Sequence, residues 1–240
     1  MRFVAALLLA LGGAAQAQPV DLALVLAIDV SESVDAERYA LQVEGIARAL
    51  ENPRFADAIG AGENRAVALL VMEWSDRQRQ AVTVGWTRVT DEESARAAAK
   101  RVRRSVRSSN GLTAMGDALI AAKKELESVP WEARRRAVDV SGDGMANIGV
   151  PVAVARDLLV AEGIAINGLP ILTEEPWLEL YYNDYVIGGP GAFVVPAENY
   201  STFAEAMTAK LVAEIAAIAP ERRQMQYVFS GSNPLNPTEE

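Results

Sequence analysis

Leu22 to Ile28 is an unbroken apolar run that stops at Asp29, the pattern of a strand covered on both faces in a parallel sheet. The period then changes. Tyr39, Val43, Ile46 and Leu50 recur at helical spacing and predict a helix over 34–50. Ala66 to Met72 and Ala81 to Trp86 are two β-rich runs joined by the polar stretch 75–80. That connection cannot hold the crossover of about a dozen residues that parallel neighbours need, so it predicts a hairpin or an antiparallel edge. Residues 91–106 read as an amphipathic helix whose arginines form a solvated face. Ser108 to Gly111 reads as a loop, and 114–126 as a helix ending near Pro130. Ala137 to Val140 is a further buried strand, ended by Ser141-Gly142-Asp143-Gly144. Residues 151–161 predict a helix with Pro151 at its first turn and Gly163 past its end, and 164–172 a strand. A last short strand is expected at 192–195, and a final helix at 201–218 with Ser201 as its cap. Strands alternate with helices and no shift in composition divides the chain. The prediction is one doubly wound α/β domain, its sheet mostly parallel with one antiparallel edge strand.

The first 17 residues stand apart. Arg2, an apolar run from Phe3 to Leu11 and Ala15-Gln16-Ala17 follow the order of a secretory signal peptide. Cleavage is expected between Ala17 and Gln18, giving a periplasmic or secreted protein. The apolar run falls short of the ~20 residues that span a bilayer, so no membrane span is expected in the mature chain. The domain is assigned to 18–220, and 221–240, polar and containing Pro234 and Pro237, is expected to be a loose tail.

Composition narrows the chemistry. The 240 residues carry 23 Lys and Arg against 32 Asp and Glu, a net charge of −9. An acidic chain repels phosphate backbones, so nucleic acid is excluded as a partner. The chain holds no Cys and no His, which removes disulfides, thiolate and imidazole metal sites and histidine-based triads. What remains is carboxylate, hydroxyl, Lys and Arg chemistry.

In a doubly wound sheet, ligands bind beyond the carboxyl ends of the strands. Asp29-Val30-Ser31-Glu32-Ser33 follows the first strand, and Ser141-Gly142-Asp143-Gly144 follows a later one. Gly111-Leu112-Thr113 places a hydroxyl at a helix start. Two carboxylates and three hydroxyls form an all-oxygen set suited to hard cations such as Mg²⁺, Mn²⁺ or Ca²⁺. Each element also has a plainer reading. Asp29 to Ser33 and Thr113 serve equally as helix caps, and Asp143-Gly144 as a turn.

Taken jointly and in this order, Asp29-x-Ser31-x-Ser33, Thr113 with Gly116 and Ala118, and Asp143-Gly144 resemble the metal-ion-dependent adhesion site of von Willebrand factor A domains. The resemblance runs from Val20 to Ala219 and is nearest to a secreted, functionally uncharacterised subgroup in Gram-negative bacteria. It implies the Rossmann-like von Willebrand A fold, with Asp29, Ser31, Ser33 and Thr113 around a divalent ion and Asp143 joining directly or through water. It further implies a non-enzymatic module that captures an exposed acidic residue of a partner protein at an open coordination position. Many members carry Gly-Gly-Thr where this chain has Gly111-Leu112-Thr113.

The alternative is a Mg²⁺-dependent phosphoryl-transfer enzyme with Asp29 as nucleophile. Against it, Ser31 stands where such enzymes carry a second acidic residue, and Lys100, Lys123, Lys124 and Lys210 all fall in expected helices. Three further features have two readings each. Asp139 lies inside an apolar strand on the face of Ser141 and Asp143, as a structural hydrogen-bonded group or as support for the site. Trp177, Tyr181 and Tyr185 form one stripe if helical, for packing or for a partner. Arg134 to Arg136 read as a solvated turn.

Overall fold

The computed structural model describes residues 18–217; the leader expected at 1–17 and the tail from 221 lie outside them. Five strands form one sheet: β1 (Val20–Asp29), β2 (Val67–Trp74), β3 (Gln80–Val89), β4 (Ala133–Gly142) and β5 (Ala165–Pro170). Their order is β3-β2-β1-β4-β5. β1 runs parallel to both β2 and β4, and β4 parallel to β5. β3 alone is antiparallel, on the β2 edge. The short connection had required this, and Gln78 takes a positive φ of 57° in that turn.

The helices are α1 (Ala36–Glu51), α2 (Pro53–Ala61), α3 (Glu92–Arg103), α4 (Met115–Glu127), α5 (Val152–Ala161), α6 (Leu178–Tyr181) and α7 (Phe203–Ala216), with a π-helical turn at Tyr182–Val186. Each face of the sheet has its own core. Even-numbered β1 residues Leu22, Leu24 and Leu26 pack with α1, α2, α3 and α7. Odd-numbered Ala23, Val25 and Ala27 pack with α4, α5 and the 178–186 segment. All ten residues of β1 are buried, which is why its sequence shows no alternation. Among the described residues, no helix is long and apolar enough to cross a membrane.

Four expectations need correction. α2 was not foreseen, although Asn52 caps it by accepting from Arg54 N and Pro53 opens it. The strand expected at 192–195 is a single bridge, Gly168 to Val194, because Pro190 and Pro196 confine it. Thr202, not Ser201, precedes α7, and the Asn199 side chain accepts from the backbone N–H groups of both. Arg134 to Arg136 lie within β4 rather than in a turn.

Asp139 has the structural role. It pairs with the fully buried Lys210 at 2.5 Å and accepts from Asn167 Nδ2 at 3.1 Å. The same Asn167 donates to Glu214, which faces Arg135 at 3.1 Å. This ionic cluster ties α7 to β4 and β5.

Gly116 opens α4 where a Cβ would stand 2.0 Å from the Val150 carbonyl oxygen. Backbone cannot yield as a flexible side chain does, so Gly116→Ala is expected to cost about 1–3 kcal/mol through overpacking. Chemical denaturation of the two proteins measures this; equal midpoints would show that the 149–151 loop gives way freely.

Candidate metal centre

Three loops meet at the carboxyl ends of β1 and β4. Glu32 N donates to Gly111 O at 2.8 Å, joining the loop after β1 to the one before α4. Thr113 N donates to Asn147 Oδ1 at 2.9 Å, and Asn147 N returns a bond to Thr113 O at 3.0 Å. The third join is Ser33 Oγ donating to Asp143 Oδ1 at 2.6 Å. Gly111 takes φ +132° with Asp76 3.1 Å from where a Cβ would lie, so this position needs glycine. Leu112 is half-exposed.

Buried groups brace these loops. Glu73, at the end of β2, accepts from Ser108 N at 2.6 Å and from Tyr39 OH at 2.7 Å. Ser75 O accepts from Ala114 N at 2.8 Å. Arg107 reaches under the first loop and donates to Val30 O and Ser31 O at 2.8 and 3.0 Å. Gln42 donates to Asp29 O at 3.1 Å.

The structure thus brings Asp29, Ser31, Ser33, Thr113 and Asp143 to one place. Asp29 is fully buried; its Oδ1 accepts from Ser31 N at 2.7 Å, while Oδ2 has no partner. Burial, reinforced by the nearby Asp143 charge, pushes its pKa up to about 7, against the pull of the Ser31 hydrogen bonds. The Ser31 and Ser33 hydroxyls lie 3.2 Å apart. Asp143 is 2 % exposed and accepts from Tyr200 OH at 2.8 Å.

Sequence reasoning missed several neighbours. Arg38 Nη1 stands 3.4 Å from Asp143 Oδ2 and donates to Ser33 O at 2.9 Å, while Nη2 pairs with Glu174. The guanidinium also lies over the Tyr200 ring, 5.4 Å from its centroid. Arg38 follows the α1 cap Asp35 by three residues, a position that carries no signal of its own. Glu175 Oε2 is buried without a partner, and burial followed by the Asp143 charge raises its pKa. The aromatic stripe divides: Tyr181 and Tyr185 stack at 5.5 Å and Trp177 is half-exposed, whereas Tyr182 is the buried ring.

A hard divalent cation fits these residues. The donors are all oxygen, and an unpartnered buried carboxylate oxygen costs about 1–3 kcal/mol or more until something positive meets it. Among the described residues no three Asp, Glu, His or Cys gather as a metal-holding group, so the hydroxyls of Ser31, Ser33 and Thr113 would stand beside the two carboxylates.

The fold is that of von Willebrand factor A domains. Solved structures agree: a von Willebrand factor type A protein from Catenulispora acidiphila (TM-score 0.58, 20% identity, 82% of this chain and 43% of that one). Proximal thread matrix protein 1 from the mussel byssus, with a zinc-occupied MIDAS motif, matches at TM-score 0.57 and 19% identity, over 82% of this chain and 46% of that one. The pilus adhesin SpaC from Lactobacillus rhamnosus GG matches at 0.58 and 12%, over 85% and 31%. At these identities the likeness is one of fold, and this chain spans less than half the length of each. No curated protein matches. The chain belongs to the family described as "Protein of unknown function (DUF1194)", whose model matches residues 19–219.

Proposed function

We propose that this chain is a divalent-metal-dependent protein-binding module of the periplasm, capturing an acidic residue of a partner protein. Asp29, Ser31, Ser33 and Thr113 would hold Mg²⁺, or Mn²⁺ or Ca²⁺ by the same oxygen chemistry, with Asp143 joining directly or through water. The observation that carries this reading is the buried, unpartnered Asp29 Oδ2 beside two hydroxyls and a second carboxylate. When bound, the ion supplies a positive centre for an incoming carboxylate. Two protein carboxylates leave its coordination open to exchangeable ligands. The zinc in the mussel protein and the adhesin role of SpaC support the reading by analogy of fold.

The phosphoryl-transfer alternative finds less support. Lys100 lies in α3, Lys123 and Lys124 in α4 and Lys210 in α7; Lys210 is committed to Asp139, so no lysine contacts the site. Tagged protein incubated with periplasmic extract and Mg²⁺ is expected to capture a partner that chelator releases and that Asp143→Ala retains poorly. Added salt should have only a modest effect, because an acidic chain does not steer an acidic partner. Capture that survives both chelator and the substitution would remove the metal from the mechanism.

A further inference from the structure

The π-helical turn delivers one buried phenol to the strand ends. Ile187 N donates to Tyr182 O at 3.0 Å, a span of five residues, and such insertions commonly mark functional positions. Tyr182 is 0 % exposed, and its hydroxyl has no partner.

Two strand glycines make room for this ring. A Cβ on Gly168 of β5 would stand 2.4 Å from Tyr182 Cδ1. A Cβ on Gly142 of β4 would stand 3.1 Å from the Tyr182 hydroxyl and 2.9 Å from Asp29 Oδ2. Neither glycine has a positive φ, so their need is space rather than backbone freedom. The register aligns Gly168 with Val140 and Ile28 with Ser141. The ring therefore crosses from β5 over β4 toward the end of β1. Its hydroxyl and the inner Asp29 oxygen adjoin the same point above Gly142, both buried and both unpartnered.

We propose that Tyr182 is a positioning residue for the metal centre, its hydroxyl placed to donate to the Asp29 carboxylate and orient it when the cation binds. The inference rests on the metal reading of the site. A phenol keeps its proton at neutral pH, so the group is a donor. Donors behind a metal-ligating side chain fix its orientation, and their loss typically weakens metal affinity about 10–100-fold. Gly142 and Gly168 belong to the same device, since a methyl group at either position would push the ring or the carboxylate aside.

The test is Tyr182→Phe, which retains the ring in its slot. Without metal, its melting temperature should match that of wild type, because the lost hydroxyl has no partner to abandon. Calorimetric titration with Mg²⁺ or Mn²⁺ should show a Kd weakened by about tenfold or more. An unchanged Kd in the variant beside clear binding by wild type would overturn the role of Tyr182 alone. Absence of binding by wild type would overturn it together with the metal reading. Should Tyr182→Phe melt well below wild type, a ring-fluorinated tyrosine at 182 decides, as it preserves shape and makes a stronger donor. A shifted Kd at unchanged melting temperature then supports the proposal, and an unshifted one overturns it.

Discussion

Lys210→Met is expected to destabilise the domain by about 3–5 kcal/mol, the cost of removing one partner from a buried ion pair. Lys210 and Asp139 are almost wholly shielded from water and 2.5 Å apart. Without the ammonium, Asp139 retains Asn167 but shares the interior with Glu214, a second buried carboxylate that keeps Arg135 as its cation. For a domain of about 200 residues the loss corresponds to roughly 10 °C in melting temperature. Thermal unfolding measures it directly. Lys210→Met with Asp139→Leu should recover most of the loss, since a buried pair replaced by apolar groups is often close to neutral. A double variant no more stable than the single one would locate the damage in helix packing rather than in the stranded charge.

The pH dependence follows from the same cluster. Burial, then the charge of Asp139, raises the Glu214 pKa to about 7, against the pull of Lys210 and Arg135. A carboxyl whose folded pKa lies above its unfolded one holds its proton better in the native state. Its contribution is therefore complete below about pH 4.5 and is lost as pH rises through 7. Lys210→Met removes a cation that opposed this shift, so its deficit should grow from pH 5 to pH 8.

How much of this was legible beforehand depends on how local each signal is. β1 announced itself because Leu22 to Ile28 carries the whole pattern in consecutive residues, and β3 because a connection as short as 75–79 permits one topology. α2 is equally local, in Asn52-Pro53 followed by Phe55, Ala58 and Ile59, but only Asn52 separates it from α1, so its pattern merges with that of the preceding helix. Of the site, Asp29, Ser31, Ser33, Thr113 and Asp143 were legible as polar residues abutting strand and helix ends in a fixed order. Arg38, Arg107, Tyr182 and Tyr200 were not. Arg38 meets Asp143 across 105 residues and Tyr200 meets it across 57; such partners are set by tertiary packing, which one sequence does not encode in any short pattern. Lys210 illustrates the limit most directly, since a lysine amid apolar helix positions reads as solvent-facing until Asp139 is placed beneath it.

At the proposed metal centre, Mg²⁺ or Mn²⁺ is expected to raise the melting temperature of the wild-type protein, and Asp29→Ala to abolish that rise. An ion that binds only the folded state stabilises it by mass action, about 2.7 kcal/mol at a hundred times Kd, or roughly 5–10 °C for a domain of this size. The five oxygen-bearing residues come from 29 to 143 in the chain and meet only in the fold, so the unfolded chain offers no comparable site. Of the proposed ligand atoms, Asp29 Oδ2 is the carboxylate oxygen that is buried and uncommitted; Ser33 and Asp143 are already bonded to each other. Asp29→Ala also strands the Ser31 N–H that Oδ1 accepts, which lowers the metal-free baseline. Asp29→Asn is the sharper comparison, because it retains an acceptor for Ser31 and exchanges only the free oxygen for an amide. Its metal-free melting temperature should equal or exceed that of wild type, as no unpartnered carboxylate remains buried, while its response to metal should vanish. A full metal-induced rise in both variants would place the ion away from the strand ends and leave Asp29 a structural residue.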